Sequence, residues 1–187
     1  MDAYNVSQTL LVSMKGIENS DQKKYFNVIK PYSNQLIPIA FFELNDNITH
    51  NDISKKLFAN KSLGYKGIKL HPRISGFSIQ SKLLEYVIKN AYELKLSVLL
   101  CTYFYDNLNL SLATGVDQLS DLLYRLNGAR VILLHGGSVR LLETIEIVRS
   151  FNNTLLDLSF TICKYEGSSI DLDIQYAFNS FDRRICV

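Results

Sequence analysis

The sequence predicts an α/β fold, an incomplete (β/α)8 TIM-barrel-like domain in which about seven parallel strands alternate with helices over residues 1-187. Three observations predict it. Apolar runs end three times in a coordinating-type side chain: Gly67-Ile-Lys-Leu-His71, Leu96-Ser-Val-Leu-Leu-Cys101 and Ala129-Arg-Val-Ile-Leu-Leu-His135. Runs of this kind alternate strictly with helical patterns, which gives a parallel sheet with right-handed crossovers. Neither a G-x-G-x-x-G nor a G-x-x-x-x-G-K-[ST] pattern occurs, so an open nucleotide-binding sheet lacks its main support. A complete barrel typically needs about 200 residues or more, so 187 residues with seven strands read as a barrel missing a piece.

Gln8 to Ser13 is the first strand, short and rich in aliphatic and β-branched residues. Gln22 to Asn34 follows as a helix starting at Ser20 or Asp21, with Tyr25, Phe26, Ile29 and Tyr32 on one face and Pro31 distorting or ending it. Leu36 to Leu44 is the second strand, its Pro38 near the start and Glu43 at its carboxyl end. Asp52 to Ala59 is a helix leading through Gly64 into the strand that ends at His71-Pro72. Residues 73 to 78 then read as a loop. Ile79 to Leu94 is the clearest helix, with a wide apolar stripe of Leu83, Leu84, Val87, Ile88, Ala91 and Leu94.

The strand ending in Cys101 is followed by a loop, Thr102 to Gly115, with Tyr103, Phe104 and Tyr105 beside Asp106. Thr114-Gly-Val-Asp117 has capping-box spacing and opens a helix that Asn127-Gly128 stops. After the His135 strand, Gly136-Gly137-Ser138 opens a helix bearing Leu141, Leu142, Ile145 and Val148. Asn153 to Phe160 is the next strand. Ser168-Ser-Ile-Asp171 is a second capping box, ahead of Ile174, Tyr176, Ala177 and Phe178, and Asp182 to Val187 begins a seventh strand.

Composition excludes several classes. Twenty basic and eighteen acidic side chains leave a formal charge of +2, with no basic tract to mark a nucleic-acid surface or a membrane-facing helix. The longest apolar runs fall well short of the roughly 18 to 20 residues that span a bilayer. The amino terminus lacks the basic segment and apolar core of a secretory signal. Three cysteines in apolar settings, Cys101, Cys163 and Cys186, fit reduced thiols in a cytoplasm better than a disulfide framework.

Parallel strands bring their carboxyl ends to one mouth, so His71, Cys101 and His135 define a polar site there. Strand alternation points Lys69 and His71 the same way, and likewise Leu133 and His135. Lys69 would be a charge inside a barrel, which calls for pairing, a metal-bridging modification or a catalytic role; a salt bridge with Glu43 or Asp157 explains it as well. Asp157, in mid-strand among leucines, reads as a structural hydrogen-bonding group. Imidazole and thiolate are good ligands for zinc or related divalent ions, which lower the pKa of bound water, although Cys101 reads equally well as a small hydrophobe. Arg73 offers a bidentate fork for a substrate carboxylate or is a solvated loop residue, and His50 lies in a polar turn at the surface. Gly136-Gly137-Ser138 could hold an anion at a helix start or be a tight turn with an N-cap serine.

The ordered set Gly67-Ile-Lys-Leu-His-Pro72, Arg130-Val-Ile-Leu-Leu-His-Gly-Gly137, Asn153-Thr-Leu-Leu-Asp-Leu-Ser159 and Asp182-Arg-Arg-Ile resembles the amidohydrolase-related, metal-dependent TIM-barrel hydrolases. The resemblance implies a divalent metal, zinc or manganese, held in that family by a His-x-His pair on the first strand, a histidine ending the fifth and an aspartate ending the eighth, with a histidine ending the sixth assisting. Laid on that pattern, residues 8 to 13 fall on the second strand and the His71, Cys101 and His135 strands on the fourth, fifth and sixth. No His-x-His occurs, Cys101 stands at the fifth-strand ligand position, and the chain stops before the family's Gly-Ser-Asp. The resemblance carries over His135 as a site residue, with His71 and Lys69 lining the pocket, and supplies no complete metal site; joined to the reading of the residues above, the expected roles are His135 and Lys69 catalytic, His71 and Arg73 substrate-binding, and His135 and Cys101 metal ligands.

The expected function is a cytoplasmic hydrolase acting by metal-activated water on a small C-N or C-O substrate, or a metal-assisted decarboxylase. The alternative is a non-catalytic binding or scaffolding protein on the same barrel. A small molecule is the expected partner, with no nucleic acid and no membrane. A barrel lacking its first strand leaves an edge that a second copy would cover, so a homo-oligomer is expected.

Overall fold

The computed structural model describes residues 5–14, 21–103, 115–180 and 184–187. Seven strands form one sheet in sequence order: β1 Thr9–Val12, β2 Leu36–Phe41, β3 Gly67–Leu70, β4 Ser97–Cys101, β5 Val131–Leu134, β6 Thr154–Asp157 and β7 Ile185–Cys186. Every neighbouring pair is parallel. Among the described residues β1 and β7 are not paired with each other, so the sheet is a curled part-barrel with two edges.

Alternation sorts the strand residues onto two faces. Ala40, Ile68, Leu70, Val98, Leu100, Val131, Leu133 and Leu156 face outward into the large core, where they meet the helices. Ile39, Leu99 and Leu134 face inward and form a second, smaller cluster with Val12, Ile37 and Ile132. Lys69, in register with Leu99, shares that inner face. Cys101 is in register with Leu134, and Leu134 with Asp157, which extends the inner row toward the carboxyl ends. Gly67 is required where β3 meets β4, because a Cβ there would come within 2.5 Å of the Ser97 carbonyl oxygen.

The helices begin and end where local chemistry satisfies their free backbone groups. Helix α1 (Gln22–Ile29) is capped by Asp21, whose carboxylate accepts from the Lys24 N–H, and passes into a 3-10 turn carrying Pro31 (Lys30–Tyr32). Helix α2 (His50–Leu63) starts with a Thr49/Asp52 capping box and ends at Gly64 with φ 111°. His50 is therefore its first residue, exposed and stacked beside Tyr86. Pro72–Ser75 is a single-turn helix, α3, where a loop is expected: Pro72 presets its first φ and His71 caps it.

Helix α4 (Lys82–Glu93) starts three residues later than the Ile79 expected from the sequence, at the Ser81 cap. It buries Leu84, Val87, Ile88 and Ala91, and each large aliphatic side chain contributes roughly 1.5 to 3 kcal/mol when fully buried. Helix α5 (Val116–Arg125) has Gly115 as its N-cap, without a side-chain bond. Thr114 and the aromatic run Phe104-Tyr105-Asp106 lie outside the described residues.

Helix α6 (Leu141–Ser150) follows a kinked turn over His135–Arg140, and Ser138 does not cap it. Strand β6 ends at Asp157, not Phe160. Ser159–Lys164 turns instead into a short helix, α7, which sets Phe160 against the His135 ring and lets the Thr161 hydroxyl donate to the His135 carbonyl. Helix α8 spans Ile170–Ser180, with Asp171 accepting from the Gly167 N–H rather than from Ser168. Among the described residues no helix is long and apolar enough to cross a membrane.

Candidate functional site

The carboxyl ends of β3, β4, β5 and β6 bring Lys69, His71, Cys101, His135 and Asp157 into one polar cluster above the inner apolar floor. Burial and neighbouring charge perturb the protonation of every member. His71 is 3% exposed, and its Nδ1 accepts from the Ile74 N–H at 3.3 Å. In the neutral ring the proton therefore sits on Nε2, which is left to donate. Burial, then the neighbouring cations Lys69 and Arg73, push its pKa down to about 3, so the ring is neutral at physiological pH.

His135 reaches the site by a different route. Leu133 packs outward and Leu134 inward, so continued alternation would send residue 135 outward, against the parity that pairs it with Leu133 on the polar side. The chain instead takes four consecutive positive φ angles: 71° at His135, 52° at Gly136, 73° at Gly137 and 62° at Ser138. This turn brings the imidazole beside the Phe160 ring, edge to face at 5.0 Å between centroids. Its Nδ1 is buried without a hydrogen-bond partner, and burial with Lys69, Arg73 and Lys164 lowers its pKa to about 4.

Lys69 is 7% exposed and donates to the Met14 thioether sulfur at 3.0 Å, in place of the salt bridge expected with Glu43 or Asp157. Burial lowers its pKa, while Cys101 and Asp157 act through space to hold it up. Asp157 accepts from the Ser159 hydroxyl at 3.0 Å, and burial raises its carboxyl above the usual range. Cys101 is 3% exposed, and burial raises its thiol pKa too, so it is a thiol at neutral pH.

Arg73 lies on α3 at the rim, its guanidinium over the Tyr103 ring at 5.0 Å. Lys164 shares the same ring at 4.3 Å and donates to the Tyr103 hydroxyl at 2.6 Å. The rim is thus basic and aromatic. Lys164 and Phe160 were not legible as site residues, because the sequence places them in or after a strand; a lone lysine past an apolar run is the only signal.

Whether the residues fit a metal is decided by their donor atoms. Among the described residues no group of three or more His, Cys, Asp or Glu side chains is placed to hold a metal ion. His71 Nδ1 is engaged, Cys101 is a thiol, and only His135 offers a free buried nitrogen. These residues do not amount to a closed set of three protein ligands, so no reaction step is assigned to a metal on them. A cavity of 640 Å³ lies at the opposite, amino-terminal end of the sheet, among Gln8, Leu36, Lys66 and Ser97, away from the titratable cluster.

No known family profile matches the sequence, and no curated protein matches it. Solved structures do. An uncharacterized TIM-barrel protein of Bordetella bronchiseptica superposes with TM-score 0.76 at 16% identity, over 96% of this chain and 63% of its own. A candidate amidohydrolase of Staphylococcus aureus superposes with TM-score 0.58 at 16% identity, over 97% and 71% of the two chains. The 5-carboxyvanillate decarboxylase of Novosphingobium aromaticivorans, complexed with manganese and 4-hydroxy-3-methoxy-5-nitrobenzoic acid, superposes with TM-score 0.55 at 13% identity, over 86% and 61%. This chain thus spans about two thirds of the length of these neighbours, and its fold is that of a partial TIM barrel.

Proposed function

We propose that this chain carries the substrate-binding face of an amidohydrolase-type enzyme acting on a small, planar carboxylate, by hydrolysis of a C-N or C-O bond or by decarboxylation. The observation that carries the reading is the gathering of Lys69, Arg73 and Lys164 around two neutral imidazoles and the rings of Tyr103 and Phe160. An anion entering there gains two or three cationic partners against the one carboxyl group of Asp157, and the buried histidines carry no charge to repel or attract it. Arg73 takes the carboxylate as a fork at the rim. Lys69 neutralises charge on the inner face. His71 donates from Nε2, and His135 Nδ1 accepts a proton, more readily once the bound anion raises its pKa.

A divalent ion, zinc or manganese, would add an activated water or polarise a substrate if one were bound, but the described residues do not complete a site for it, and the roles above are assigned without it. His135 and Cys101 are the donors this chain would offer. The three free thiols support a reducing, cytoplasmic setting. The test is elemental analysis of purified chain together with turnover of a panel of benzoates and cyclic amides with added zinc or manganese. Turnover that needs the metal and falls in Arg73→Met supports the reading. Less than about one tenth of an equivalent of metal, with no turnover restored, removes the enzymatic part. The absence of a three-donor group among the described residues would then favour the second reading, a non-catalytic anion-binding protein on the same barrel.

A further inference from the structure

We propose that Thr102 is a positioning residue, whose buried hydroxyl clamps the left-handed turn after β5 and so turns His135 from the helix-packed face to the polar face of the sheet. The inference rests on the site reading above, but its geometry stands apart from any activity. Thr102 is fully buried, immediately after β4. Its N–H and its hydroxyl both donate to the Leu134 carbonyl, at 3.0 and 2.6 Å, and the same hydroxyl accepts from the Gly137 N–H at 2.9 Å. One side chain thus ties the residue before His135 to the second residue after it. Thr161 holds the carbonyl of His135 itself, at 2.7 Å.

The turn needs such a clamp. A positive φ is disfavoured at a non-glycine residue, and His135 and Ser138 both adopt one. Ser138 is fixed by its hydroxyl, 2.5 Å from that of Tyr165. Gly137 is confined because a Cβ there would collide with the Thr144 hydroxyl. Without the bridge from Leu134 to Gly137, the relaxed alternative is an extended residue 135 pointing the way Leu133 does, into the apolar core.

The test is carbon-13 NMR of the three histidine ring Cε1 groups at pH 7.5, assigned with His50→Gln and His71→Asn, in the full chain carrying Thr102→Val or Thr102→Ser. Thr102→Val keeps shape and removes the hydroxyl; it should move the His135 resonance while His50 stays in place. Thr102→Ser restores the hydroxyl and should return His135 to its original position. An unmoved His135 in Thr102→Val overturns the proposal, as does a displacement that serine fails to reverse. Should the valine variant not fold, amide exchange of Gly137 in the unaltered chain decides: strong protection supports the clamp, and exchange within about tenfold of an unstructured peptide overturns it. An inactive protein with the predicted resonance changes would separate failure of the enzyme reading from failure of this one.

Discussion

Lys69 Nζ and Met14 Sδ lie 3.0 Å apart on the inner side of the sheet, a cation facing a neutral, polarizable sulfur in a largely buried place. A thioether is a weak acceptor and does not compensate a buried ammonium as a carboxylate would. The charge is therefore held at a cost to stability, which is the usual sign of a group kept for binding.

Lys69→Met should accordingly stabilise the fold, by about 1 kcal/mol or more in chemical denaturation, while weakening anion binding. The same change should raise the pKa of both His71 and His135, because Lys69 lowers each. Histidine titration by NMR reads both values in one experiment.

Stability should fall as pH falls from about 6.5 toward 4. His71 and His135 have native pKa values near 3 and 4, below the ordinary 6.5, so in this window the unfolded chain binds more protons. Stability rises with pH wherever that holds. Each tenfold difference in proton affinity between the folded and unfolded chain is worth about 1.4 kcal/mol, so His135 alone accounts for at most roughly 3 kcal/mol. Urea midpoints at pH 7.5 and pH 5 should differ measurably, and His71→Asn should flatten the dependence.

Glycine substitutions should separate strain from space. Gly76 and Gly137 have nearly equal φ, 72° and 73°, but a Cβ meets nothing within 4 Å at Gly76 and collides with Thr144 at Gly137. Gly76→Ala should cost about 1 kcal/mol, and Gly137→Ala about 2 to 5 kcal/mol. Equal losses in thermal unfolding would refute the packing half of that statement.

The isolated chain should self-associate through its sheet edges. Among the described residues strand β1 pairs only with β2, and β7 only with β6, while Leu10 and Leu155 on the inner face are about 39% exposed. Light scattering on a sizing column should give a mass above the 21.3 kDa of one chain, and a sharp monomer peak would contradict this.

Much of this architecture was legible because parallel strands are buried on both faces and so read as continuous apolar runs. Gly67-Ile-Lys-Leu70 and Val131-Ile-Leu-Leu134 announced themselves, and so did the residues at their ends. What was hidden is non-periodic. The four-residue helix Pro72–Ser75 spans about one turn, too little to show a periodicity, and α7 begins inside an apolar run that reads as strand. The Gly136-Gly137 pair signals a turn, but nothing in it shows that His135 and Ser138 join the left-handed path, since that depends on Thr102, Thr144 and Tyr165 from distant segments.

The central claim, a carboxylate site at this mouth, is tested most directly by adding benzoate to the carbon-13-labelled chain and following the three histidine rings at pH 7.5. His71 and His135 should shift in a saturable way while His50, exposed at the start of α2, does not, and Arg73→Met should weaken the apparent affinity by about tenfold or more. Shifts confined to His50, or an affinity indifferent to Arg73, would contradict it.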